Sequence, residues 1–420
     1  YGNDEGGTSA GKTYLILGSS LVNNNTIDLA NADYSFVGEG VNNESGLSVS
    51  TAGDVDNDGL DDILIGARWN SEAADSAGKT YLILGSSLGT TSTINLVDAD
   101  YSFLGESIYD YSGIYVSTAG DVDNDGLSDI VISANGNDDG GTGAGKAYLI
   151  LGSSLGSTTS MSLANADYSF VGEQASDGVA KATTAGDIDN DGLDDILISA
   201  NSNDDGGADA GKSYLILGSS LGSTTSMSLA NADYSFVGEG SYEYSGHDIS
   251  TAGDIDNDGL DDILIGAFGN SQGGTSAGKT YLILGSSLGT TSTMNLSSAN
   301  YSFIGEYAQD RSGTDVSSAG DVDNDGFDDI LIGSHANSDG GSYAGKAYLI
   351  LGSSIGSTSV INLSTADFSF IGTNADDVLR EVSSAGDVNG DGQSDILIGA
   401  VNNDQGGSNA GTVGLFMACE

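Results

Sequence analysis

A block of about 67 residues recurs along the whole chain, and any fold must place its copies in equivalent surroundings. Ala-Gly-Asp returns with its Asp at 54, 121, 187, 254, 321 and 387, so successive copies stand 66 or 67 residues apart. Tyr-Leu-Ile-Leu-Gly-Ser-Ser begins at Tyr14, Tyr81, Tyr148, Tyr214, Tyr281 and Tyr348. Each copy reads as four short strands. The first, Leu47 to Ala52, alternates and is rich in small residues that suit a crowded central position. The second, Ile63-Leu64-Ile65, and the third, Tyr81 to Leu84, are apolar runs of the kind found in strands covered on both faces. The fourth, Tyr101 to Leu104, alternates and stops at Gly105. No stretch carries a helical period, and 65 glycines with no proline suit many tight turns.

Four strands per copy, in sheets covered on both faces, predict an all-β chain folded as a β-propeller of four-stranded blades. A solenoid is the runner-up, but 67 residues is long for one coil. The chain divides into closing strands over 1–44, full repeats at 45–111, 112–177, 178–244, 245–311 and 312–377, and a last partial repeat at 378–420.

Charge narrows the function. With 61 acidic and 10 basic side chains the formal net charge is -51, which repels nucleic acid and anionic membranes. No apolar run approaches a membrane span. Cys419 is the only cysteine, so no internal disulfide can form, and metal ions are the alternative staple. The chain opens in mid-repeat without Met or a signal-peptide pattern, which reads as a processed or excised piece.

The acids concentrate in one loop, Asp54-Val55-Asp56-Asn57-Asp58-Gly59-Leu60-Asp61-Asp62. Carboxylates at loop positions 1, 3, 5 and 9, with the carbonyl of position 7, supply hard oxygen ligands that select calcium. These are Asp54, Asp56, Asp58, Leu60 and Asp62, then Asp121, Asp123, Asp125, Leu127 and Asp129. The third and fourth copies use Asp187, Asp189, Asp191, Leu193 and Asp195, and Asp254, Asp256, Asp258, Leu260 and Asp262. The fifth uses Asp321, Asp323, Asp325, Phe327 and Asp329. The sixth, Asp387, Asn389, Asp391, Gln393 and Asp395, exchanges one carboxylate for an amide and is expected to bind most weakly. An EF-hand would need Glu at position 12, where Ile65 stands. About six Ca2+ ions are expected. Asp-Gly turns without metal are the bland reading, and the number of near-identical copies argues against it.

The run from Ala52-Gly53-Asp54 to Asp62-Ile63-Leu64-Ile65-Gly66-Ala67, with Gly78-Lys79-Thr80-Tyr81 beyond it, resembles the FG-GAP repeat of integrin alpha subunits and many bacterial surface proteins. Arg68 stands where the motif has Pro, and the "FG" half is reduced to Ser-Gly at 45–46, 112–113, 245–246 and 312–313. The resemblance implies calcium loops joining the first and second strands of each blade, and ligand recognition at the opposite face. It also implies an extracellular or cell-surface adhesion module.

The sequence holds six first, six second and six fourth strands and seven third strands, the last being Val413 to Met417. Six blades are favoured over the seven of integrin-type propellers if Tyr34 to Val37 completes the blade begun at Val382. One third strand is then surplus, an unpaired edge that favours head-to-tail or strand-exchanged self-assembly.

Two loops vary between copies, and both should lie opposite the calcium loops. They carry Trp69, Tyr109, Tyr111, Tyr242, Tyr244, Phe268, Tyr307 and Arg311, with Arg68, His247, His335 and Tyr343 nearby. Such aromatics could hold a protein or glycan ligand, or reflect drift. A glycan-binding, lectin-like propeller is the alternative to adhesion. Gly-Ser-Ser-(Leu or Ile)-Gly at 85, 152, 218, 285 and 352 matches a nucleophile-elbow pattern, but no helix follows and no histidine recurs with it. The chain reads as a non-enzyme.

Overall fold

The computed structural model describes residues 2–21, 26–89, 91–407 and 410–418; Cys419 lies outside them. The strands fall where hydrophobic patterning puts them. In the repeat at 45–111 they are Val49–Gly53, Asp62–Ala67, Lys79–Ile83 and Tyr101–Leu104. They pair antiparallel in that order, with Gly53 opposite Asp62, Ile65 opposite Tyr81 and Tyr81 opposite Ser102. All five residues of Lys79–Ile83 are buried, as are all six of Asp129–Ala134 in the next copy, as the continuous apolar runs require.

A fifth strand was not foreseen. Thr93–Asn95 lies between the third and fourth strands of its own repeat, yet pairs in parallel with the fourth strand of the preceding sheet. Ser35, Phe36 and Val37 face Thr93, Ile94 and Asn95. Ser160–Ser162 does the same to Tyr101–Leu104, Thr293–Asn295 to Tyr234–Val237, and Val360–Asn362 to Tyr301–Ile304. Each of the five full repeats therefore covers the edge that its predecessor would leave open.

The described chain forms seven sheets of three to five strands, not the six blades expected. Tyr34–Val37 does not complete the last sheet. It pairs with Lys12–Leu15, Lys12 facing Val37 and Leu15 facing Tyr34. The reason is local: Lys12-Thr13-Tyr14-Leu15 is a full third strand, and closing it on a strand some twenty residues on costs little loop entropy. No third strand is surplus among the described residues, since Lys12–Leu15 and Thr412–Phe416 belong to two different sheets. The final sheet, Leu379–Gly386, Asp395–Ala400 and Thr412–Phe416, holds a first, second and third strand.

Two compact units divide the chain. One comprises Tyr1–Thr184, Leu193–Ile198 and Ile216–Ala232, the other Ala185–Gly192, Ser199–Leu215 and Asp233–Glu420. In the first, Leu64, Leu82 and Phe103 of one sheet pack on Ile130, Ile132, Tyr148 and Ile150 of the next. The second repeats this with Leu264, Leu282 and Phe303 against Ile330, Ile332, Tyr348 and Ile350. Ser117 Oγ and Thr183 Oγ1, on successive first strands, lie 3.0 Å apart, close enough to hydrogen-bond, so the small residues there do serve close approach.

Successive sheets are also tied by buried charge. Lys279 Nζ donates to Glu239 Oε1 at 2.6 Å, reaching from a third strand to the end of the preceding fourth strand. Lys79 with Glu39, Lys146 with Glu106 and Lys346 with Glu306 repeat the bridge. The last copy has Thr373 and Thr412 at the two positions, so both partners are lost together.

Candidate metal centres

The Asp-rich loops are hairpin connections between first and second strands, and their geometry follows from what each position must do. Asn57, Asn124, Asn257 and Asn324 take left-handed backbone, which Asn tolerates, and Gly59 follows at φ 87°. The chain curls around the position-1 side chain. Asp254 Oδ1 accepts from Asp258 N at 2.9 Å and Oδ2 from Gly259 N at 2.9 Å. Asp54, Asp121 and Asp321 hold their loops in the same way. Asp187 likewise accepts from Asp191 and Gly192.

The position-9 carboxylate is the anchor. Asp262 Oδ2 accepts from Ile255 N at 3.0 Å and Oδ1 from Gly285 N at 2.8 Å, which joins the loop to the end of the third strand. Asp62, Asp129, Asp329 and Asp395 are held by equivalent pairs of donors, and Asp195 accepts from Gly218 N. Burial pushes the carboxyls of Asp129, Asp262 and Asp329 up to about 7, despite the backbone donors that pull the other way. Neighbouring loop carboxylates add to the rise, and Asp62 moves in the same direction.

Three carboxylates of one loop bring oxygens within 4.8 Å of one another in the first, second, fourth and fifth copies. They are Asp54, Asp56 and Asp58; Asp121, Asp123 and Asp129; Asp254, Asp256 and Asp262; and Asp321, Asp323 and Asp325. Hard oxygen donors this close, with burial and mutual repulsion disfavouring their charge, are compatible with a divalent cation. In the sixth loop Asn389 Oδ1 accepts from Asp391 N at 2.8 Å. Asp387 there is drawn below the usual carboxylate range, chiefly by Gly392 N and also by Gly390 N and Asp391 N.

Position 8 was missed from sequence. Asp328 Oδ2 accepts from Asp254 N of the preceding loop at 2.9 Å, and Asp328 N donates back to Asp254 O at 3.2 Å. Asp194 with Asp121 and Asp261 with Asp187 repeat the exchange, while Ser128 and Ser394 keep the backbone half of it. Adjacent loops are therefore stapled together. The available signal was that position 8 is always Asp or Ser.

The aromatic positions separate into groups at the other end of the strands, in the loops after the second strand and before the first. Trp69 packs edge-on to Tyr111 at 4.9 Å, under the Arg68 guanidinium at 5.1 Å, and donates to Glu44. Tyr109 stands 6.2 Å from Tyr111. In the other unit Tyr244 stacks on Phe268 at 5.2 Å, with His247 edge-on; Tyr242 is exposed. Tyr307 and Tyr343 line a separate cleft. Arg311 sits in left-handed backbone, and its carbonyl accepts from Thr314 Oγ1. The Gly-Ser-Ser segments are single 3-10 turns ending the third strands, with Ser87 Oγ and Ser354 Oγ donating to Asp100 and Asp367.

A family model described as "FG-GAP repeat" matches residues 45–83, 114–150, 181–216, 245–283, 312–350 and 381–416. The chain is 38% identical over 106 residues to integrin alpha-5 of Xenopus laevis, covering 24% of this chain and 9% of that protein. It is 33% identical over 119 residues to integrin alpha-PS2 of Drosophila melanogaster, covering 27% and 8%. Integrin alpha pat-2 of Caenorhabditis elegans is 28% identical over 256 residues, covering 57% and 19%. The chain thus spans less than a fifth of the length of these relatives. A solved structure of BBS1N in complex with ARL6DN aligns at a TM-score of 0.41 and 10% identity over 84% of this chain and 76% of that one, too loose to carry an argument.

Proposed function

The chain belongs to the FG-GAP repeat family, and from that premise we propose that it is a calcium-stabilised adhesion module working outside the cell. The observation that carries this reading is the division of labour along each repeat. Acidic loops with convergent oxygens lie at one end of the strands, and loops with exposed aromatics lie at the other. The similarity to integrin alpha chains supports the adhesion half. Each loop holds one Ca2+ through positions 1, 3, 5 and 9 and the position-7 carbonyl, six in all, with the Asn389 loop the weakest.

Self-association is part of the proposal. The fourth strand Phe368–Ile371 has no borrowed strand along it among the described residues, and Phe368 and Ile371 are exposed. Val413 and Phe416 are exposed on the last third strand. An apolar unpaired edge is a template for another chain. Beads coated with the protein should clump in excess calcium and disperse in EDTA. A variant with Ile371→Lys and Val413→Lys should fold normally and clump far less. Beads that stay dispersed with calcium would refute the adhesion reading.

A further inference from the structure

Tyr307 and Tyr343 line a cleft of about 320 Å3 together with Gln309, Asp310, Ser338 and Asp339. We infer that this cleft is a binding site for a neutral saccharide ring held between the two tyrosines. The inference goes beyond the adhesion reading and stands or falls separately from it.

Comparison of the copies within the chain carries the argument. Where Tyr307 stands, the other repeats have Gly40, Ser107, Gln174, Gly240 and Asn374. Where Tyr343 stands, they have Ser9, Ser76, Gly143, Asp209, Ser276 and Asn409. Two positions that are otherwise never aromatic both become tyrosine in one repeat, and those two line the same cleft. Neither is needed for the core, since Tyr307 is 57% and Tyr343 52% exposed. Tyr343 sits at φ 51°, the left-handed backbone that Ser76, Asp209 and Ser276 also adopt in their copies, so the loop conformation is common to the repeats and only the side chain is new.

Hydrogen bonds hold the backbone that carries the two tyrosines. Tyr307 N donates to Asp310 Oδ2 at 3.1 Å, and that oxygen also accepts from Asn337 Nδ2 at 2.9 Å. Gln309 N donates to Thr275 O at 2.8 Å, and Tyr343 O accepts from Val378 N at 3.1 Å. A ready-made site spares a ligand the cost of ordering loops.

The chemistry selects the ligand class. Ligand clefts run from roughly 300 to 1,000 Å3, so this one suits one or two rings. No cationic side chain lines it, which excludes an anion. Of its two carboxylates, Asp339 is paired with Lys346, whereas Asp310 accepts only from the neutral donors Tyr307 N and Asn337 Nδ2, so a cation is the competing ligand that the test must separate from a sugar. Two aromatic rings beside hydroxyl, amide and carboxylate groups match the C–H faces and hydroxyls of a pyranose.

Saturation-transfer NMR on the whole chain in calcium tests this with the methyl pyranosides of glucose, galactose, mannose and N-acetylglucosamine and their disaccharides; tetramethylammonium serves as the cationic control. At least one sugar should bind, and Tyr307→Ser with Tyr343→Ser, the residues of sister copies, should weaken it at least tenfold while leaving the melting temperature within a few degrees. Binding of no sugar, binding that survives the double substitution, or binding of tetramethylammonium alone would each overturn the assignment. Dispersed beads in the adhesion assay would leave it untouched.

Discussion

Asp129, Asp262 and Asp329 are buried acids held near 7 rather than near 4. In metal-free protein they keep protons that the unfolded chain has already released. The folded state therefore binds more protons between about 4 and about 7, and its stability falls as pH rises through that window. A bound cation reverses the preference by favouring the charged form. Melting curves in EDTA should accordingly decline from pH 5 to pH 7, rise instead in calcium, and lose part of the EDTA slope in Asp262→Asn. A second expectation concerns two glycines of one loop. Gly253 has φ 72°, and a Cβ there would lie 2.1 Å from Asp328 Oδ2; Gly259 has φ 88° and open space around it. Left-handed backbone alone costs an alanine about 1–2 kcal/mol. Urea denaturation should show that loss for Gly259→Ala and a larger one for Gly253→Ala, which also disrupts the staple between loops. The clustering of the loop carboxylates was legible because the acids stand at fixed spacing within one loop. Position 8 was not, because its partner belongs to the loop of another repeat.

Pairings between neighbouring sheets set the behaviour of the elements. The Lys279 side chain is 6% exposed and that of its partner Glu239 24%. Removing one member of a pair this buried costs about 3–5 kcal/mol, mostly by stranding the other charge. Lys279→Thr should therefore destabilise more than the double variant Lys279→Thr with Glu239→Thr, which copies Thr412 and Thr373. A double-mutant cycle read by chemical denaturation measures the difference, and additivity would show that the pair is not coupled. The four main strands were legible to within two or three residues from alternation and apolar runs such as Ile63-Leu64-Ile65. The short strand Thr93–Asn95 was not, because three residues carry no period and its partners, such as Phe36 for Ile94, lie almost a repeat away. Sheet number failed for a related reason. Strand inventory alone does not say whether Tyr34–Val37 pairs with Lys12–Leu15 or with the far end of the chain.

At the scale of the whole molecule, a single cysteine forms no internal disulfide, and on the proposed reading metal would supply the missing staple. Calcium at a hundredfold excess over its dissociation constant stabilises one site by about 2.7 kcal/mol. Six sites would give roughly 16 kcal/mol, comparable to the 5–15 kcal/mol that holds a typical domain folded. EDTA should lower the melting temperature by tens of degrees in calorimetry, and an unchanged melt would show that the loops hold the fold without metal. The loan of one short strand from each full repeat to its predecessor bears on how such a chain is made. The first sheet ends its own strands at Val37 but receives its covering strand only at Thr93–Asn95. During synthesis, each sheet emerges with a bare edge and waits for most of another repeat before that edge is closed. The order of translation thus becomes an order of completion, with the newest sheet always the one open to a wrong partner.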